Sequence, residues 1–236
     1  MPSPASEPEG SRRPDRLVLV VGTGTEVGKT WVAARVLERL RTGGLAVAAR
    51  KPAQSFGPED DRGGTDAAVL GAATGEAPEV VCPPHRWYPV AMAPPMAAAA
   101  LGRPPFTLAD LVAELRWPAR RDGAGPSVGL VETAGGVRSP QAADGDAVGL
   151  AGLLRPDVVV LVADAGLGTI NAVRLSLAAL RSAGVPAASR PVVVLNRFAE
   201  GDDLHRRNRS WLADADGTDV VVTPGEEARL AAELIA

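Results

Sequence analysis

The chain has 236 residues, 46% hydrophobic and 22% charged, with a formal net charge of −3 and one cysteine. That is apolar material for one large α/β domain or two small ones, and it excludes wholesale disorder. The slight acidity argues against a nucleic-acid partner, the lone Cys82 excludes an intrachain disulfide framework and a cysteine zinc site, and no apolar run is long enough to span a bilayer. A reducing, cytoplasmic setting fits this composition.

Residues 1–15 carry no apolar stretch of the kind a secretory signal needs and are expected to form a disordered tail before a domain over 16–236. From there apolar β-branched runs alternate with helical periodicity. Strands are predicted over Leu17–Val21, Leu45–Ala49, Val128–Val131, Val158–Val162, Val192–Leu195 and Val220–Val222. Helices are predicted over Thr30–Arg41, Asp66–Ala73, Thr107–Arg116, Asp144–Leu154, Thr169–Ser182, Asp203–Leu212 and Glu226–Ile235. Asp144 and Asp146 are expected to cap the helix that follows them. The segment Ala77–Pro105, rich in proline and alanine, is expected to lay a loop and a short helix, Met96–Leu101, over one edge. The strand runs are continuous rather than alternating, as in strands covered on both faces, so the fold class is α/β, a parallel sheet with helices on both faces.

Polar residues collect at the ends of these strands. Lys29 follows the first, Lys51 ends the second, Glu132 the third; Asp164 closely follows the fourth, and Asn196 ends the fifth. Open α/β sheets bind ligands outside the carboxyl ends of their strands. Only two of the 25 basic residues are lysine, Lys29 and Lys51, and both fall in this set. In a chain that otherwise uses arginine, they mark places where a compact ammonium is needed, or else survive by chance.

Gly22-Thr23-Gly24-Thr25-Glu26-Val27-Gly28-Lys29-Thr30 follows a strand and opens a helix. Its glycines let successive N–H groups point at phosphate oxygens; Lys29 reaches the β- and γ-phosphates, and Thr30 offers a hydroxyl to Mg²⁺. The spacing is G-x5-G-K-T, one residue longer than the usual phosphate loop. The dinucleotide pattern G-x-G-x-x-G fails because its last glycine would fall on Val27, which demotes nicotinamide chemistry. No Ser-His-Asp or Cys-His set is present, and His85 and His205 read as surface or structural residues.

This loop closely resembles that of the dethiobiotin synthetases, and the resemblance continues in Lys51-Pro52-Ala53-Gln54-Ser55, Gly64-Thr65-Asp66-Ala67, Val131-Glu132-Thr133-Ala134-Gly135-Gly136 and Gly168-Thr169-Ile170-Asn171. It implies a single-domain fold of the P-loop NTPase type and an ATP- and Mg²⁺-dependent cyclo-ligase. That reaction joins 7,8-diaminopelargonate and CO₂ (or bicarbonate) with ATP to give dethiobiotin, through a carbamate and a carbamic–phosphoric anhydride. Lys29 and Lys51 are the implied catalytic cations, and Thr30, Asp66 and Glu132 the implied metal ligands. Read alone, Asp66 is better explained as a helix cap. The implied nucleotide contacts run from Glu26 and Val27 through Gly28, Lys29, Thr30 and Trp31. Asp66, Glu132 and Gly135 join them. Asn196, Arg197, Thr223, Pro224 and Gly225 complete the set at the base, where Asn196 would meet the adenine edge.

Ser55 is implied for the substrate amine or carbamate, with a solvated loop serine as the other reading. Gly168, Thr169, Ile170 and Asn171, at a helix start, are implied for the substrate carboxylate of the neighbouring subunit's site, so a homodimer is implied as well. Thr133 stands where the family usually has glycine; a β-branched residue there is expected to resist positive φ and to narrow the space beside the nucleotide. Two alternatives stay open: a related enzyme acting on another amine or carboxylate, and a partner-regulated P-loop ATPase switch. Against the switch, the second loop lysine of the partitioning type would fall at Gly24.

Overall fold

A computed structural model describes residues 13–57, 64–119, 126–182 and 191–236. Six strands form one parallel sheet: β1 (Arg16–Gly22), β2 (Val47–Arg50), β5 (Val128–Glu132), β8 (Val158–Asp164), β9 (Val192–Asn196) and β10 (Val220–Thr223), in the order β10-β9-β8-β1-β5-β2. Two short ladders lie outside it. β3 (Gln54–Ser55) pairs with β4 (Trp87–Tyr88), and β6 (Pro140–Ala142) with β7 (Gly145–Asp146).

Alternate residues of each central strand enter different cores. Leu17, Leu19 and Val21 of β1 join one cluster, with α4 (Pro94–Ala100), α5 (Leu108–Glu114), α6 (Ala147–Leu154) and α7 (Thr169–Ser182). Val18 and Val20 join the other, with α1 (Lys29–Thr42), α2 (Asp66–Thr74), α3 (Pro78–Val81) and α9 (Glu227–Ile235). Both faces are therefore dry, which is why the strand sequences are apolar throughout. The fold-class expectation holds.

Several predicted boundaries shift for identifiable reasons. Leu45 does not begin β2: its N–H closes the end of α1 on Leu40 O at 3.1 Å, behind Gly44 at φ 89°, so the strand starts two residues later. α5 starts after Thr107, whose hydroxyl and Asp110 form a reciprocal capping box. Asp146 caps α6 through Val148 N and Gly149 N, but Asp144 does not share that duty; its carboxylate accepts from Leu108 N at 2.8 Å and ties α5 to the β6–β7 hairpin. α8 (Asp203–Ser210) gives way to a wider π turn over Trp211–Ala215. Of the expected tail, residues 1–12 lie outside the described residues. Arg13 and Asp15 belong with the domain, through Arg13 Nη1 to Leu154 O at 2.8 Å and Asp15 N to Pro126 O at 3.0 Å.

Candidate functional site

Parallel pairing brings the carboxyl ends of the strands to one edge, and a cavity of about 830 Å³ opens beside the phosphate loop there. Gly28 is the N-cap of α1 in the left-handed region, at φ 90° and ψ 28°, with no side chain closing the helix end. The first N–H groups of α1 are thus left for a ligand, where the helix dipole favours an anion. Lys29 curls back over the loop, its Nζ donating to Gly24 O at 3.0 Å. A side chain at Gly22 would meet Lys29 Cδ at 2.9 Å, so the first glycine clears the path of this lysine.

Lys51 is fixed in place by its own backbone and by the residue before it. Its own N–H donates to Val81 O at 2.8 Å, and the preceding Arg50 is paired with Glu76 at 2.8 Å and stacked over Trp117. The fully buried ammonium lies 2.7 Å from Asp66 Oδ2, 2.7 Å from Glu132 Oε1 and 3.2 Å from Thr133 O. Thr30 Oγ1 bonds the same two carboxylates, at 2.7 Å to Asp66 Oδ1 and 2.8 Å to Glu132 Oε1. Asp66 is free for this because Thr65, not Asp66, caps α2, accepting from Ala68 N at 3.4 Å. The cap reading of Asp66 is thereby removed.

Burial opposes charge on Lys51, but Asp66 and Glu132 outweigh it and hold the ammonium above the ordinary lysine value. The same pairing, with the Thr30 hydrogen bond, keeps Asp66 below the usual carboxylate range despite burial. Glu132 is pushed up, by burial first and by the Asp66 charge in addition, against the pull of Lys51. Lys29 is lowered to about 8 by burial and then by the like charge of Lys51. Glu132 Oε2 is buried with no hydrogen-bond partner. A buried carboxylate oxygen left bare is costly. Together with the Thr30 hydroxyl and Asp66 it makes an all-oxygen donor set that could hold a hard divalent cation such as Mg²⁺, which takes one or two carboxylates along with phosphate oxygens.

Of the residues singled out in the sequence, Glu26, Gly28, Lys29, Thr30, Trp31, Lys51, Ser55, Asp66, Glu132, Gly135 and Arg197 line the cavity. The buried Ser55 Oγ also lacks a partner, so it is not a solvated loop serine. Val27, Asn196, Thr223, Pro224, Gly225 and the stretch Gly168–Asn171 do not line it. The Asn196 amide is turned to the protein itself, donating to Val27 O at 3.0 Å and accepting from Thr223 Oγ1 at 3.1 Å. Thr133 corrects another expectation. It is buried outside the cavity lining, is not among the positive-φ residues, and bonds Val20 O through its N–H at 3.1 Å and its hydroxyl at 3.3 Å.

Thr25, Phe56, Met92 and Ser139 also line the cavity and were missed. Thr25 lay inside the quoted loop, and its hydroxyl was the available signal. Ser139 is set by a turn, accepting from Gly136 N at 2.9 Å. The buried Gln141 amide secures that turn through both polar groups of the Ala134 backbone and through Ser139 O. Nothing in the local sequence announces that network.

The AAA_26 family model, an AAA domain, matches residues 16–221. The ATP-dependent dethiobiotin synthetase BioD of Anaeromyxobacter dehalogenans (strain 2CP-C) is 39% identical over 190 residues, 80% of this chain and 79% of that protein. The BioD of Rhodococcus jostii (strain RHA1) is 37% identical over 218 residues, 91% and 89% of the two chains.

The chain belongs to the ATP-dependent dethiobiotin synthetase family.

Among solved structures, a plasmid partition protein from Borrelia burgdorferi B31 bound to AMPPNP superposes with a TM-score of 0.52 at 12% identity, over 94% of this chain and 90% of that one. That likeness shows a shared P-loop architecture. For a dethiobiotin synthetase family member, the segments that carry the sequence resemblance are also those whose side chains meet at Lys51, apart from the Gly168–Asn171 stretch. No described helix is long and apolar enough to cross a membrane.

Proposed function

We propose that this chain closes the ureido ring of dethiobiotin from 7,8-diaminopelargonate, CO₂ and ATP. The observation that carries the reading is the convergence beside the phosphate loop of Asp66 and Glu132 on Thr30 and Lys51, each carboxylate 2.7–2.8 Å from both. The chemistry needs no enzyme nucleophile. It needs negative charges held together and aligned.

One amine of the substrate captures CO₂, losing a proton and becoming a carbamate. A carbamate oxygen attacks the γ-phosphorus and ADP leaves. The second amine then attacks the carbonyl carbon, loses its proton and expels phosphate. Lys29 and the loop N–H groups hold the triphosphate. Lys51 holds the carbamate and the transferring phosphoryl oxygens, and the unpaired Ser55 hydroxyl bonds the substrate amine or carbamate. Thr30, Asp66 and Glu132 hold Mg²⁺, which offsets phosphate charge when bound. The start of α7, outside the cavity and beside a Leu167 that is 92% exposed, receives the substrate carboxylate of a second subunit's site, so the working form is a homodimer. The lone, buried Cys82, whose thiol burial pushes up to about 12, suits a reducing cytoplasm.

The deciding experiment measures phosphate release with ATP, Mg²⁺, the diamine and bicarbonate, and then with each omitted in turn. The reading requires release to need both the diamine and bicarbonate. Equal release without the diamine would favour an ATPase switch, and release restored only by another amine would favour a relative with a changed substrate.

A further inference from the structure

The two residues of β3 have different duties. Successive side chains of a strand point to opposite faces; Ser55 lines the cavity and Gln54 does not. Gln54 is 1% exposed, and its Oε1 accepts from Ala67 N at 3.0 Å. Ala67 follows Asp66 in the first turn of α2, where N–H groups find no partner within the helix. The local cap, Thr65 Oγ1, serves Ala68 N at 3.4 Å, so the glutamine makes the shorter of the two bonds. Gln54 Nε2 is buried with no partner. Turned over, the amide would set that donor against the Ala67 N–H, so the acceptor end is the one the fold engages.

The far end of α2 is tied to the same stretch of chain. Glu76, just past the helix, accepts from Ala49 N at 2.9 Å and from Arg50 Nη1 at 2.8 Å. Residues 49–54 thus hold α2 at both ends, and Lys51 lies between the two ties. Asp66, the first residue of α2, bonds Lys51 Nζ and Thr30 Oγ1, each at 2.7 Å. Glu132 stands on β5, inside the main sheet. A shift of the first turn of α2 would therefore move one carboxylate of the oxygen set against the other. Mg²⁺ is sensitive to such a shift because it demands near-ideal octahedral geometry. The phosphate loop is built on β1 and α1 instead.

We propose that Gln54 is a positioning residue for Asp66, setting the affinity of the oxygen set for a divalent cation without touching the cation. This rests on the reading of Thr30, Asp66 and Glu132 as a Mg²⁺ site. The test measures ATP affinity by calorimetry on the full chain, in EDTA and at a series of free Mg²⁺ concentrations, with Tm for each protein. Gln54→Met keeps the length of the side chain and removes the acceptor. It should bind ATP in EDTA as the unaltered chain does, yet need about tenfold more free Mg²⁺ for half of the Mg²⁺-dependent gain, the effect of one lost hydrogen bond on the geometry of the set. Gln54→Glu keeps an oxygen for Ala67 N and gives up only the unpartnered donor, so it should restore the ordinary Mg²⁺ requirement. Thr107→Ala, which removes the cap of α5 elsewhere in the fold, should lower Tm and leave the Mg²⁺ requirement unchanged.

An ordinary Mg²⁺ requirement in Gln54→Met would overturn the proposal. So would an equal loss of ATP affinity in EDTA, or a shift of the same size in Thr107→Ala, either of which would make the effect one of general stability. If Gln54→Met does not fold, Gln54→Asn, whose amide stops one carbon short of Ala67 N, decides the question on the same readout. If the unaltered chain gains no ATP affinity from Mg²⁺, the cation-site reading itself fails, and the proposal with it.

Discussion

The two halves of the sheet edge are built on opposite principles. At the β2–β5 side, Lys51, Asp66, Glu132 and Thr30 form a charged knot in which every group serves several others, yet Glu132 Oε2 and Ser55 Oγ remain without partners. At the β9–β10 side the buried groups are the Asn196 amide, which bonds the loop, and the Thr223 hydroxyl behind it; the charged group that reaches the loop, Arg197, is exposed and paired with Asp164. Neutral groups that satisfy one another hold a shape at little electrostatic cost. Buried charges that do not are expensive, and such arrangements are a mark of sites that exchange partners with a ligand. One side is built to be rearranged and the other to stay put.

The contrast is sharpest for substitutions that keep shape. Glu132→Gln preserves volume and removes a charge from the knot. Turnover should fall by about a hundredfold or more, the size expected when a charged contact is lost from a preorganised site. Tm should hardly change, because burial already disfavours the Glu132 charge. Normal turnover at saturating Mg²⁺ would erase the distinction between the two sides.

Gly28→Ala attacks the other half. The added methyl would occupy the Asn196 amide's place and force a non-glycine residue to φ 90°, itself worth about 1–2 kcal/mol. Nucleotide affinity, read by calorimetry, should drop at least about tenfold. An ordinary Kd would mean that the loop does not depend on its contact with β9.

A smaller effect, away from both halves, calibrates the scale. Glu114 accepts from Arg86 Nε at 2.9 Å and Nη2 at 2.6 Å. Burial raises its pKa, but the Arg86 hydrogen bonds and charge prevail and hold it below the usual glutamate value. A carboxylate whose folded pKa is depressed contributes stability above its unfolded pKa and loses it as pH falls through the folded one. At neutral pH Glu114→Gln should lower stability by about 1 kcal/mol, roughly 2–4 °C in Tm for a chain of this size. The gap between the two proteins should close as pH drops from about 5 to 3. A gap that widens on acidification would show that the pair has the opposite linkage.

Much of this was legible in the sequence where one physical demand dominates a segment. Strands covered on both faces must be apolar throughout, and the six runs of the main sheet were readable for that reason. The phosphate loop was readable from its glycines, of which Gly28 takes a φ of 90° and Gly22 leaves room for Lys29. What escaped depends on partners far along the chain. Leu45 looked like a strand residue until the end of α1 claimed its N–H. Asp144 and Asp146 looked equivalent, and only the β6–β7 hairpin separates a cap from a tie to α5. Asn196 was visible as an amide at a strand end, but its acceptor, Val27 O, lies 169 residues away in sequence. Ser139 was hidden because its place depends on the Gln141 amide.

The central claim, that the charged side carries the chemistry while the loop side holds the nucleotide, is tested most directly by Lys51→Arg, with nucleotide affinity and kcat measured on the same preparation. A planar guanidinium cannot sit as a point charge among Asp66, Glu132 and the reacting oxygens. The account predicts near-normal nucleotide affinity with kcat reduced by about a hundredfold or more. Near-normal kcat, or a loss of affinity that matches the loss of turnover, would contradict it.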